Sequence, residues 1–123
     1  MKFSLKATNL ELTPDISSHI EEVINSLDKF INSADSVVRA WVEIGRISQH
    51  HRSGKIYRVE IQINLPGKLV RSEAKEKTIF KAINEVKDEL QRELKRYKGR
   101  KIAEQKKGAR RFKKINYKQR TVK

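Results

Sequence analysis

The sequence contains no cysteine, which excludes disulfide staples and cysteine-based zinc sites and fits a reducing compartment. Long apolar runs are missing as well. Met1-Lys2-Phe3-Ser4-Leu5-Lys6 alternates apolar and polar residues and is charged again by Lys6, so it has no signal-peptide core. No later stretch approaches the roughly 20 apolar residues of a membrane span. Phosphate-cradling glycine loops, H-E-x-x-H and G-x-S-x-G are absent. His50 and His51 are adjacent with no acidic residue within six positions, which reads as a solvated loop and not a metal motif. His19 falls beside an apolar helical stripe, the place of a boundary histidine and not of a catalytic base. The expectation is a cytoplasmic, non-enzymatic protein with no cofactor, metal, membrane or small-molecule partner.

Acidic residues are the other shortage: 15 Asp and Glu face 29 Lys and Arg in 123 residues, a net charge of +14. Such an excess concerns partners and not fold. It is also unevenly placed. Residues 1–98 hold 18 basic and 14 acidic side chains, whereas residues 99–123 hold 11 basic and one acidic, Glu104. The chain therefore reads as one near-balanced domain, residues 1–101, followed by a basic tail, residues 102–123, expected to be disordered when free.

Periodicity supplies the elements. Phe3, Leu5 and Ala7 alternate with Lys2, Ser4 and Lys6 as a first strand. Thr13-Pro14-Asp15 opens a helix, because Thr13 can cap, Pro14 suits a first turn and Asp15 favours the positive helix end. Ile16, Ile20, Val23, Ile24, Leu27, Phe30 and Ile31 continue it at spacings of three and four. Asn32-Ser33-Ala34-Asp35-Ser36 breaks the pattern. Val38, Ala40, Val42 and Ile44 then form one face of a second strand whose other face carries Val37, Arg39, Trp41 and Glu43. Residues 45–54 read as a polar, mobile loop. Tyr57, Val59, Ile61, Ile63 and Leu65 form a third strand. Pro66-Gly67 fits the centre of a type II turn, so a fourth strand, 68–75, returns antiparallel. Ile79, Phe80, Ile83, Val86, Leu90, Leu94 and Tyr97 mark a second helix, with Thr78 as cap and Gly99 as its stop. The order β-α-β-β-β-α predicts an α+β, two-layer fold: a four-stranded sheet with both helices on one face and the other face open to water or a partner.

Binding has positive support where catalysis has none. Five of the seven residues from Lys95 to Lys101 are basic and none is acidic, a cluster at a helix end that suits cations. Asp88 and Glu89 precede Arg92, and Glu93 precedes Arg96, at spacings that allow ion pairs of a few tenths of a kcal/mol, so part of this face reads equally as solvated surface. The tip itself has no such neighbours and favours phosphate contact. Lys2, Lys6, Arg71 and Lys75 fall on the outward side of their strands, as do Arg39 and Trp41. Trp41 reads either as a base-stacking residue or as one half-buried by the tail. In the tail, Lys106, Lys107, Arg110, Arg111, Lys113 and Lys114 surround Phe112, Ile115 and Tyr117 in the manner of segments that order on RNA.

Several stretches resemble one family. Asn9-Leu10-Glu11-Leu12-Thr13-Pro14, Leu27-Asp28-Lys29-Phe30, Val70-Arg71-Ser72-Glu73-Ala74 running into Ile79-Phe80-Lys81-Ala82-Ile83-Asn84, and Leu90 to Arg100 are similar to the hibernation-promoting factor and ribosome-associated inhibitor family, also described as sigma-54 modulation proteins. The likeness covers residues 1–101. It implies a domain laid out like double-stranded-RNA-binding domains that lodges in the decoding channel of the small ribosomal subunit, on 16S rRNA, in the 70S ribosome. There it overlaps mRNA and the A- and P-site tRNAs and silences idle ribosomes. The implied rRNA-binding residues are Lys6, Lys29, Arg71, Lys75, Arg92, Lys95, Arg96, Lys98 and Arg100, joined by Lys101. This chain departs from the family pattern at Ser17, Val23 and Ser26, where further cations are frequent, at Thr78-Ile79-Phe80, and at Glu89. The chain is expected to be a monomer off the ribosome, and the 25 residues after Lys98 are expected to be too few and too polar to fold as the second domain by which long members pair ribosomes. A ribosomal assembly or structural RNA-binding protein, and a DNA-binding transcription modulator, are the alternatives.

Overall fold

The computed structural model describes residues 1–31, 38–47, 54 and 56–121, with side chains of the last helix described at 79–100, 102–104 and 106–107. The predicted break at 32–36 and the histidine pair at 50 and 51 lie outside the described residues.

Strand β1 (Lys2–Thr8) leads through Asn9, whose φ of 55° is a left-handed turn that asparagine tolerates, into helix α1 (Pro14–Asp28). The Thr13 side chain accepts from the Ile16 amide at 3.4 Å and Pro14 occupies the first turn, as predicted. After Asp28, short backbone bonds from Phe30 to Leu27 and from Ile31 to Asp28 tighten the helix end, and both side chains pack half-buried against the core. Strands β2 (Arg39–Ile47), β3 (Ile56–Leu65) and β4 (Lys68–Glu76) then form a meander. The sheet order is β1-β2-β3-β4, with β1 parallel to β2 and the other pairs antiparallel. Gly67, at φ 76°, supplies the positive dihedral that the second central position of a type II turn requires.

The inward residues of the sheet, Ala40, Val42, Ile44, Val59, Ile61, Ile63, Leu65 and Val70, meet Ile16, Ile20, Val23, Ile24 and Leu27 of α1 and Ile79, Ala82, Ile83, Val86, Leu90 and Leu94 of helix α2 (Ile79–Thr121). Both helices therefore cover one face, and the α+β order is the expected one. Buried Ser72 is the polar exception on β4, and its hydroxyl donates to Glu89 Oε2 of α2 at 2.8 Å.

Three expectations change. Strand β2 runs past Gly45 to Ile47, because Gly45, Arg46 and Ile47 keep their partners Arg58, Tyr57 and Ile56. A Cβ at Gly45 would meet the Thr8 carbonyl oxygen at 3.0 Å, so glycine there serves a close strand approach and not a loop. Phe80 is 42% exposed: Ile79 takes the sheet-facing position one residue earlier, and Phe80 stacks edge-on against His19 at 5.4 Å. Most consequentially, α2 does not stop at Gly99. It continues as helix to Thr121, 43 residues in all, or roughly 65 Å at ~1.5 Å per residue. Residues 102–121, expected to lack regular structure, are helical. Gly99 is not in the left-handed region, and a lone glycine costs only about 1 kcal/mol against alanine, which a flank of Lys, Arg, Ala, Glu and Gln tolerates. Among the described residues Leu94 is the last buried one, and Ile102 is 42% exposed.

Candidate nucleic-acid interface

The two helices lie side by side and run the same way. His19 Nε2 lies 2.9 Å from Asn84 Oδ1 near their starts, and Lys95 Nζ sits 5.6 Å from the centre of the Phe30 ring near the end of α1. The negative end of α1 therefore lies beside the middle of α2, so the cations predicted at the end of the second helix stand instead against the end of the first, which draws them. Two further contacts bring the sheet to this end. The Met1 ammonium pairs with Asp28 Oδ2 at 3.0 Å, and the Tyr97 hydroxyl donates to the Pro66 carbonyl at 3.0 Å. The start of β1 and the β3–β4 turn thus flank the end of α1 and the middle of α2, and Lys2, which pairs in register with Arg39, borders the same region.

Of the cations named from the sequence, this end collects Lys29, Arg92, Lys95, Arg96, Lys98 and Arg100, all exposed. Arg96 binds Glu93 at 3.0 Å, and Lys68 shares that carboxylate at 4.0 Å. The other five have no ion pair among the described residues. The possible pairing of Glu89 with Arg92 does not form, because Glu89 turns to Ser72 on the sheet. The helix tip, which is the end of α1 with the middle of α2 beside it, is therefore more available to an anion than spacing alone implied. The helix continues this charge outward: Lys106 and Lys107 are exposed, while Arg110, Arg111, Lys113 and Lys114 lie on its backbone course and, with Lys101, have side chains outside the described set.

Lys6, Arg71 and Lys75 are elsewhere, on the outer face of the sheet. In register across that face stand Lys6, Glu43, Glu60 and Glu73. Adjacent like charges repel, and two arginines resolve the conflict on β3 and β4. Arg71 Nε donates to Glu60 Oε1 at 2.7 Å and Arg58 Nε to Glu73 Oε1 at 2.9 Å; Arg58 also binds Glu60, and Arg71 reaches Glu73 at 3.5 Å. Lys75 lies 3.9 Å from Glu73. The hydrogen bond from Arg71 holds the Glu60 carboxyl below the usual carboxylate range, and Arg58 does the same for Glu73. The arginines are pushed up in return by the same bonds. The nine cations that the resemblance implied thus divide into an open group at the helix tip and a group on the sheet in which Arg71 and Lys75 are already compensated. The Arg-Glu lattice went unread in the sequence, although a two-residue turn that pairs Leu65 with Lys68 also sets Glu60 opposite Glu73.

Residues 3–102 match the family described as Sigma 54 modulation protein / S30EA ribosomal protein. The chain belongs to this family. Among its relatives, a ribosome hibernation promotion factor of Deinococcus radiodurans is 26% identical over 106 residues, covering 86% of this chain and 53% of its own length. One from Lactococcus lactis is 30% identical over 105 residues, covering 81% and 51%. The chain spans about half the length of these two relatives. The crystal structure of the Thermus thermophilus Protein Y N-terminal domain is 32% identical, superposes with a TM-score of 0.64, and is matched over 79% of this chain and 99% of that one. The region shared with the family ends where α2 leaves the core, so the further helix and its charge lie almost wholly beyond the match.

Proposed function

We propose that this chain is a ribosome hibernation, translation-inhibiting factor of the cytoplasm, whose docking domain is residues 1–101 and whose basic extension is residues 102–123. It binds 16S rRNA of the small subunit, occupies the decoding channel, and excludes mRNA and the A- and P-site tRNAs by steric overlap. The observation that carries this reading is the group of five exposed cations, without ion pairs among the described residues, where the end of α1 meets the middle of α2. Each such cation that meets a phosphate releases a condensed counterion, so charge gathered in one place becomes affinity for folded RNA without any base contact. Family membership and relatives named as hibernation promotion factors support the choice of ribosomal RNA as that partner. No catalytic step is part of the mechanism; occupancy is the activity.

The test is co-sedimentation of the intact chain with purified small subunits, with and without tRNA bound in the A and P sites. Binding that tRNA displaces is expected. Full simultaneous occupancy by the chain and both tRNAs would sink the channel reading, and equal preference for duplex DNA at the same salt would sink the ribosomal one.

A further inference from the structure

Trp41 stands on the outer face of β2, 43% exposed, away from both helices and from the core. Its surroundings are ordered by charge. On one side the register places Lys2 beside Arg39, both exposed and without ion pairs among the described residues. On the other side stands Glu43, likewise without an ion pair among the described residues, with Gln62 directly opposite the indole on β3. Two shallow depressions lie along this part of the sheet: one of about 400 Å³ is lined by Lys2, Ser4 and Arg39, short of the indole, and one of about 180 Å³ is lined by Trp41 itself with Lys6, Glu43, Glu60 and Gln62. Arg39 and Trp41 are two residues apart on one strand face, roughly 7 Å at ~3.3 Å per residue, a distance that one nucleotide spans.

We propose that this face holds one unpaired RNA nucleotide, its base against Trp41, its phosphate between Lys2 and Arg39, and its base edge toward Glu43 and Gln62. A large exposed aromatic bordered by cations on one side is the arrangement with which proteins stack single-stranded bases while tracking the backbone. The polarity is set by the carboxylate: phosphate is repelled from the Glu43 side, whereas an exocyclic amine, a donor, is drawn to it. Lys2 also lies at the end of the sheet where the helix tip stands, so a strand leaving the tip passes onto this face without crossing the acidic row. The inference rests on the reading of this chain as an RNA-docking protein and adds a second, single-strand contact to it.

Trp41 is the only tryptophan in the chain, so its emission reports on this face directly. Titrating the intact chain with oligocytidylate should quench that emission, and Trp41→Ala should lower affinity for a labelled oligomer about tenfold. Lys2→Glu with Arg39→Glu should weaken binding and flatten its salt dependence by about two phosphates. Oligouridylate, which lacks the amine, should bind more weakly than oligocytidylate, and Glu43→Gln should narrow that difference. Oligomer binding without quenching, or unchanged affinity in Trp41→Ala, overturns the proposal. A shift in emission with protein concentration alone points to a second copy on this face and overturns it too. Reversal of Arg92, Lys95 and Arg96 separates the two sites: small-subunit binding falls while quenching by oligocytidylate persists. Failure of the intact chain to bind small subunits, with quenching retained, defeats the ribosomal reading and leaves this site standing.

Discussion

The helix tip and the outer sheet face carry similar numbers of cations and differ in what surrounds them. At the tip, Lys29, Arg92, Lys95, Lys98 and Arg100 have no ion pair among the described residues. On β3 and β4, Arg58, Arg71 and Lys75 sit against Glu60 and Glu73. Binding a phosphate at the tip displaces only counterions and water. On the sheet it must also break arginine–carboxylate hydrogen bonds, which are among the stronger polar contacts. Two patches of similar formal charge therefore differ in affinity for the same anion, and a charge census does not see the difference.

Charge reversal tests that contrast most strongly. Arg92→Glu, Lys95→Glu and Arg96→Glu together should reduce small-subunit affinity by well over tenfold at moderate salt and lower the slope of log affinity against log salt by about 3. Arg71→Glu, on the sheet, should change affinity by less than twofold and instead destabilise the fold, because it leaves three carboxylates adjacent in one row. Equal losses in the two proteins would erase the distinction between open and compensated cations.

Deleting residues 102–123 comes next in size. The core closes at Leu94, and Tyr97 secures the β3–β4 turn, so the truncated domain should melt within a few degrees of the intact chain. Nine basic residues and one acidic residue leave with the extension, and affinity for small subunits should fall severalfold with a shallower salt dependence. Loss of cooperative unfolding would show instead that the extension belongs to the fold.

That extension also marks the limit of what the sequence made legible. The strands apart from the end of β2, both helix caps and the antiparallel return of β4 follow from period, capping and turn chemistry, and those are properties of neighbouring residues. The helix past Gly99 does not follow so simply. A glycine among strong helix formers serves equally as stop or passenger, and none of the described side chains beyond it is buried to decide between the two. The site was partly legible for the same reason. Arg92 to Arg100 are close in sequence, and the continuous helix keeps them together. Lys29 was linked to them only through family likeness, and the geometric reason, the parallel run of α1 and α2 that puts Phe30 under Lys95, is a tertiary fact. The mutual compensation of Arg58, Glu60, Arg71 and Glu73 was within reach of hairpin counting from Pro66-Gly67. It was obscured by reading each cation singly.

Removing the compensation sharpens the comparison from the other side. In Glu60→Gln with Glu73→Gln, Arg58 and Arg71 lose their carboxylates, and RNA affinity should rise about twofold, since two cations become available without a new side chain. An unchanged affinity would mean that the β3–β4 side of this face never meets the RNA, and would leave the helix tip, the extension and the Lys2–Arg39 corner as the electrostatic interface.

The smallest effect is on the pH dependence of stability, and its sign is fixed by the direction of the shifts. Glu60 and Glu73 are held below their usual range by Arg71 and Arg58, so the folded state binds these protons less readily than the unfolded chain does. Their contribution is complete above the unfolded carboxylate value of about 4.3 and is lost as pH falls through the lower folded values. Glu85 shifts upward through its hydrogen bond to Glu76, but it is present in both proteins and cancels from their difference. The melting temperature of the intact chain should therefore exceed that of the double glutamine variant by a constant amount from pH 7 to pH 5, and the gap should close only in more acidic solution, where both proteins are uncharged at these positions. A gap that already closes between pH 7 and pH 6 would place the titrating group elsewhere and detach the arginine–glutamate lattice from the stability of the sheet.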